Sequence, residues 1–167
     1  MLKCLSVKVK GGGFTLLEMM FAVFVVAVGL TGVISLIHRA SFGAQIAASR
    51  LTAAYLAQEG VEIVRNIRDS NWLAQRDDPA IAWNQNLGNG DWEADYDDFT
   101  LTPFQNRNLK INGGFYNYAF GTDTKFKRKI TITQTSAGTL AVAVDVAWQE
   151  GGRSWSVFVH ENLYNWR

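Results

Sequence analysis

Between Met19 and Ile37 the chain reads MMFAVFVVAVGLTGVISLI, without one formal charge. An α-helix of that length rises about 28 Å, close to the roughly 30 Å hydrocarbon core of a bilayer. Phe14 to Leu17 lengthens the run, which Glu18 alone interrupts. A buried core helix is the competing reading. It would need protein on every face, and a chain of 167 residues has little left to provide it. The run therefore reads as a membrane-inserted helix. Its flanks orient it, with Lys3, Lys8 and Lys10 ahead of it and only Arg39 firmly charged just behind, beside a mostly neutral His38. The positive-inside rule then puts the N-terminus in the cytoplasm and translocates the C-terminal body.

Against this run the average composition misleads. A mean hydropathy of −0.02 looks like a plain soluble domain, but it averages a lipid-soluble stem and a polar head. Apolar residues at 48%, charged ones at 19% and a net charge of +1 exclude a disordered tail. They also exclude a chain that grips nucleic acid through bulk charge. The single cysteine, Cys4, excludes an intrachain disulfide framework and a cysteine-built zinc cage.

An ordinary secretory signal has a shorter apolar region and a cleavage site behind it. Here the better cleavage point lies in front. Lys8, Lys10 and the triplet Gly11-Gly12-Gly13 precede Phe14-Thr15-Leu16-Leu17-Glu18, and three glycines leave an unencumbered backbone for a protease cleft. In Gly13, Phe14, Thr15, Leu16, Leu17 and Glu18, followed at once by the apolar run, the chain resembles the type IV pilin superfamily of pilus subunits and type II secretion pseudopilins. Within the run, AVGLTGVISL is similar to PilV-type minor pilins and some pseudopilins. The resemblance implies a prepilin peptidase that cuts between Gly13 and Phe14 and methylates the new amine. It implies as further partners other pilin subunits, an inner-membrane assembly platform and membrane lipid. Cleavage would remove Lys3, Cys4, Lys8 and Lys10 and leave the mature chain without a thiol.

Glu18 has a physical argument of its own. A carboxylate in an apolar helix costs about 2.5–3.5 kcal/mol even on lenient insertion scales, so it should have a partner. After cleavage the Phe14 amine lies one turn away, within i,i+4 reach in the same chain. Between chains, the amine of an incoming subunit would neutralise Glu18 of one already assembled and fix axial register, the use that the resemblance favours. The competing reading is a snorkelling carboxylate with no partner. Gly29, Thr31, Gly32 and Ser35 permit close helix packing, or are incidental.

From His38 to about Asp69 good helix formers continue without proline, and Ala53, Leu56, Gly60, Ile63 and Ile67 recur at spacings of 3 and 4. One helix of roughly 55 residues is expected, apolar all round at first and on one face later. Arg50, Gln58, Glu62, Arg65 and Asp69 lie off the stripe, with Glu62 placed to pair with Arg65. The expected organisation is a cleaved leader over 1–13, a transmembrane helix over 14–37, an amphipathic continuation over 38–70 and a globular head over 71–167. Within the head an irregular connector covers 71–98 and an antiparallel sheet 99–167. Trp72, Trp83 and Trp92 would pin the connector onto the head.

Asp91, Glu93, Asp95 and Asp97 alternate, which on an extended segment places four carboxylates on one face. A solvated acidic face is the first reading and a calcium site the second, because the ligand spacing of an EF-hand is absent. Beyond the connector, Asn112-Gly113-Gly114 and Gly151-Gly152 mark hairpins. Lys125 to Thr133 alternates, with Arg128, Ile130 and Ile132 on one face, and Val142, Val144, Val146 and Trp148 continue the apolar face. Trp155, Val157 and Val159 carry it on, and the ending from Leu163 to Arg167 should tuck back over the sheet. The sheet needs a cover that the amphipathic helix supplies, so the fold class is α+β.

Lys125, Lys127, Arg128 and Lys129 form the one basic cluster. It reads as lysines guarding a strand edge, ahead of a nucleic-acid contact. No phosphate-binding loop, metal-spaced histidine pair or catalytic carboxylate pair is present in the pattern, so neither an enzyme nor a cofactor is expected. Two functions remain: a filament subunit, either a minor pilin or a secretion pseudopilin, and a membrane-tethered binding or adhesion module, DNA uptake included.

Overall fold

The computed structural model describes residues 12–166, so Lys3, Cys4, Lys8 and Lys10 of the expected leader lie outside the described residues, as does Arg167. One helix, α1, runs Leu16–Gln75 over 60 residues. The chain divides into two compact units, one ending at Ala44 and the other beginning at Gln45.

In the first unit, α1 has the length and composition of a membrane span, with a mean hydropathy of 2.6 in a window of which 0% is buried. Met20, Phe24, Val28 and Leu36 are all more than half exposed, and so are their neighbours around the helix. No other part of the unit covers this surface among the described residues, which is the state of a helix whose solvent is meant to be lipid.

In the second unit the same helix becomes one-sided. Ala53, Leu56, Ala57, Gly60, Val61, Ile63, Val64, Ile67 and Trp72 are buried, so the expected stripe faces the core. Glu62 pairs with Arg65 as its i,i+3 spacing allows. The stripe lies on a five-stranded antiparallel sheet in the order β2-β1-β6-β7-β8. Its strands are β1 (Gly90–Glu93), β2 (Thr102–Pro103), β6 (Lys127–Ser136), β7 (Thr139–Glu150) and β8 (Arg153–Tyr164). A separate three-stranded sheet pairs β3 (Lys110–Asn112) with β4 (Phe115–Asn117) and β5 (Thr122–Asp123).

Period-two alternation builds the covered face. Ile130, Ile132, Leu140, Val142, Val144 and Val146 are each at most 1% exposed, while Trp155, Val157 and Val159 extend the face on β8. Gly113-Gly114 and Gly151-Gly152 all have positive φ, as two-residue hairpin turns require. At Gly60 the helix stands close against the sheet: a Cβ there would sit 2.9 Å from Val144 Cγ1 and 3.2 Å from Arg128 Cδ.

Four expectations need correction. The helix runs past Asp69 to Gln75 and stops where Asp77, Asp78 and Pro79 follow, with the Arg76 and Asp77 amides bonding back to Leu73 and Ala74. The connector over 71–98 therefore begins as helix. It also contains β1, which pairs with β6 through Gly90↔Ile132 and Trp92↔Ile130, so the sheet starts before residue 99. The basic strand β6 is interior, between β1 and β7, and its lysines guard no edge. Finally, the ending does not fold back: Leu163 and Tyr164 complete β8, with Leu163 opposite Leu140. Asn165 then bonds the Trp72 indole N–H at 3.2 Å, and Trp166 meets the Trp72 ring edge-on.

Candidate functional site

The processing junction comes first. Gly13 and Phe14 belong to no helix or strand, and both are exposed, Phe14 at 77%. A bond in irregular, uncovered backbone is what a protease cleft can engage. Helix α1 begins two residues later, because Thr15 caps it: Thr15 Oγ1 accepts the Glu18 N–H at 3.2 Å, and the Thr15 carbonyl accepts the Met19 N–H at 3.1 Å. Thr15 and Glu18 thus stand at the spacing of a capping box, with an acid in the first turn where the helix dipole favours it. Sequence reasoning missed Thr15, although T-x-x-E was legible. Phe14 itself lies ahead of the capping residue and outside the helix.

The acidic series does not share a face, because β1 ends at Glu93 and the chain turns over Asp95–Asp98. Asp91 is exposed and accepts from the Thr131 hydroxyl at 2.6 Å. Glu93 is fully buried, bonded to Arg107 and to the Gln105 amide. Its partner is 14 residues away, so spacing gave no sign of it. Asp95 accepts the Tyr118 N–H at 2.7 Å, and Asp97 is exposed. Among the described residues no three His, Cys, Asp or Glu side chains converge as a metal site would require.

The basic cluster also separates. Arg128 is 0% exposed and holds Glu59 Oε1 at 2.7 Å, the Ala94 carbonyl at 2.7 Å and the Leu56 carbonyl at 3.2 Å. It is an internal tie between helix and sheet and is unavailable to nucleic acid. Its Nε–H meets no acceptor among the described residues. The Tyr118 hydroxyl donates to the Arg128 carbonyl, and burial pushes its phenol up to about 12. Lys125 is held by Glu150 at 2.8 Å and Ser49 at 2.7 Å, and Lys129 lies 3.8 Å from Asp91. Lys127 donates to Asn106 Oδ1 at 3.2 Å.

Two carboxylates give the head opposite pH responses. Burial, reinforced by Asp98 and Asp97, raises Asp95 above the ordinary carboxylate range against the opposing Tyr118 N–H and Arg128 charge. The native state therefore holds this proton more tightly than the unfolded chain, and the Asp95 contribution to stability rises as pH falls towards about 4. Glu150 is lowered, first by the Lys125 hydrogen bond, so its contribution is present above the ordinary range and lost at lower pH. Asp95→Asn keeps an acceptor for Tyr118. It is expected to raise the urea midpoint at neutral pH and to flatten the rise in stability as pH falls towards about 4. A variant curve parallel to the wild-type one would show that Asp95 does not carry this segment.

With this geometry in place, comparison with known proteins adds one finding. Residues 10–34 match the family model described as the prokaryotic N-terminal methylation motif. The chain carries the type IV pilin prepilin signal. The match spans the triglycine, the capped start of α1 and most of the apolar run, and it supports a type IV pilin-like protein processed by prepilin peptidase. No curated protein and no solved structure matches the chain.

Proposed function

We propose that the protein is a structural filament subunit, of the minor-pilin kind, cut between Gly13 and Phe14 and methylated on Phe14. It is held in the inner membrane by the first half of α1, with the N-terminus cytoplasmic and the head outside. From there it is extracted by an assembly platform and packed helix to helix with other pilin subunits in a heterologous, non-closing array. One juxtaposition supports the reading: the methylation motif at residues 10–34 runs into an apolar helix that nothing among the described residues of its unit covers. Such a helix suits lipid first and the cores of neighbouring helices later. Mass spectrometry of the mature N-terminus tests it. The expected species starts at N-methylated Phe14, and any other start would remove the basis of the proposal.

A further inference from the structure

The two edges of the main sheet are built differently. On one side β2 has 2 residues, and the second, Pro103, has no N–H to offer. A short edge carrying a proline is how sheets ordinarily avoid pairing with other chains. On the other side β8 has 12 residues without glycine, proline or lysine, and it follows β7 in unbroken register. Among the described residues no further backbone group bonds to its open side. Every second residue of such an edge turns its N–H and C=O outward, so a row of unpaired donors and acceptors remains. From Ser154 to His160 the strand reads SWSVFVH, rich in strand-forming residues and without a carboxylate, lysine or arginine to repel a partner.

The strand is complementary to itself. Two identical antiparallel strands keep their side-chain faces matched only when the twofold axis passes at a residue. With the axis at Phe158, Phe158 meets its own copy on the outer face, Ser156 meets His160 and Ser154 meets Asn162. On the inner face Val157 meets Val159, and Trp155 meets Glu161. An axis at Val159 would set Val157 against Glu161, and one at Val157 would set Phe158 against Ser156. Phe158 is 64% exposed in the single chain, with Asp145 beside it on β7. The two ends of β8 also differ in charge. At the hairpin end Arg50 lies 5.3 Å over the Trp155 ring, and neither Arg50 nor Arg153 forms an ion pair among the described residues. The carboxylate there, Glu150, is already held by Lys125. At the far end one cation, Arg65, is shared by two carboxylates, Glu62 and Glu161.

The geometry points to β8 as a homotypic interface: a second copy of this chain adds its own β8, antiparallel and centred on Phe158, and the two sheets become one. Main-chain hydrogen bonds supply the affinity, and the Phe158 pair fixes the register. The basic end of each copy meets the acidic end of the other, and symmetry makes this contact twice, with Arg50 joining the partner's Glu161. No other strand of the main sheet offers a second copy an equivalent edge, because β2 is short and carries Pro103. A twofold axis normal to the sheet reverses every direction in its plane, so α1 from Gln45 to Gln75 runs antiparallel in the pair. Copies inserted side by side in one membrane share a direction. The pair therefore joins chains on two separate filaments or cells, an orientation that rests on the function proposed above, whereas the pairing itself does not.

The test uses the full chain carrying Cys4→Ser, in detergent, by analytical ultracentrifugation and by oxidative cross-linking. A concentration-dependent dimer is expected. Phe158→Lys sets two ammonium groups opposite each other and should raise the dimer dissociation constant by about tenfold or more. Phe99→Lys, at a similarly exposed aromatic outside both sheets, should leave it unchanged. Arg50→Gln should raise it by about threefold. Phe158→Cys should cross-link to its own copy, and Ser154→Cys, which faces Asn162 of the second copy, should not. A urea midpoint for F158K equal to that of the dilute parent chain would exclude a folding defect. The inference is overturned by a monomer at every concentration, which would leave β8 to a strand from a different protein. A dimer indifferent to F158K would overturn it too and trace association to the apolar half of α1, as would cross-linking at 154 in place of 158. None of these outcomes depends on cleavage or filament assembly.

Discussion

Glu18→Ala is expected to remove the protein from sheared filaments by about tenfold or more while leaving its amount in the membrane fraction undiminished or raised. The sign follows from the cost of the carboxylate. Burying it in lipid is unfavourable by about 2.5–3.5 kcal/mol, so deleting it makes membrane insertion easier. A loss confined to filaments would mean that Glu18 is needed by a neighbouring subunit. The capping geometry supplies a control. Glutamine also serves in a capping box, so Glu18→Gln retains the local helix start and removes only the charge. If the amine of an incoming subunit is the partner, both variants fail to assemble. If the cap is what matters, Glu18→Gln assembles normally and Thr15→Ala does not. Immunoblots of sheared and membrane fractions separate these cases.

Arg128→Ala should produce the largest loss of stability in the head, about 3–5 kcal/mol, read as a fall in urea midpoint of the detergent-solubilised chain. Two effects combine. The largest fully buried side chain is truncated, which leaves a void between α1 and the sheet. The Ala94 carbonyl loses its guanidinium donor, and Glu59 loses the cation that holds it. Glu59 has 33% of its side chain exposed and can turn to water, so the ionic share is the smaller one. Arg128→Met keeps most of the volume and should cost roughly half as much or less. Equal losses for both variants would show that hydrogen bonding, not packing, dominates the site.

These two residues also show what was legible in the sequence. Glu18 stood out because a lone charge inside an apolar run breaks a strong one-dimensional pattern. The stripe from Ala53 to Ile67 and the valines of β7 were legible for the same reason: each is a local periodicity with a simple physical cause. Arg128 was correctly placed on the apolar face yet also counted with three lysines. Its partners Leu56, Glu59 and Ala94 are 72, 69 and 34 residues away, and no spacing rule reaches that far. Glu93 was misread likewise, because a buried acid and a solvated one look alike until Arg107 is beside it. Strand β1 was hidden by its own composition, four residues beginning with glycine inside a turn-rich stretch, and only pairing with β6 makes it a strand.

Gly60 links these observations in a further way. The missing side chain sets how far α1 stands from β6 and β7, and that distance is what lets the Arg128 guanidinium reach the Leu56 carbonyl and Glu59. A methyl group at residue 60 would wedge the helix outward and stretch both bonds at once. Substitutions at 60 and 128 should therefore be thermodynamically entangled: once Arg128 has gone, extra bulk at Gly60 has less left to break and some freed space to enter. A glycine with no chemistry of its own thus acts as the spacer that calibrates an ionic clasp.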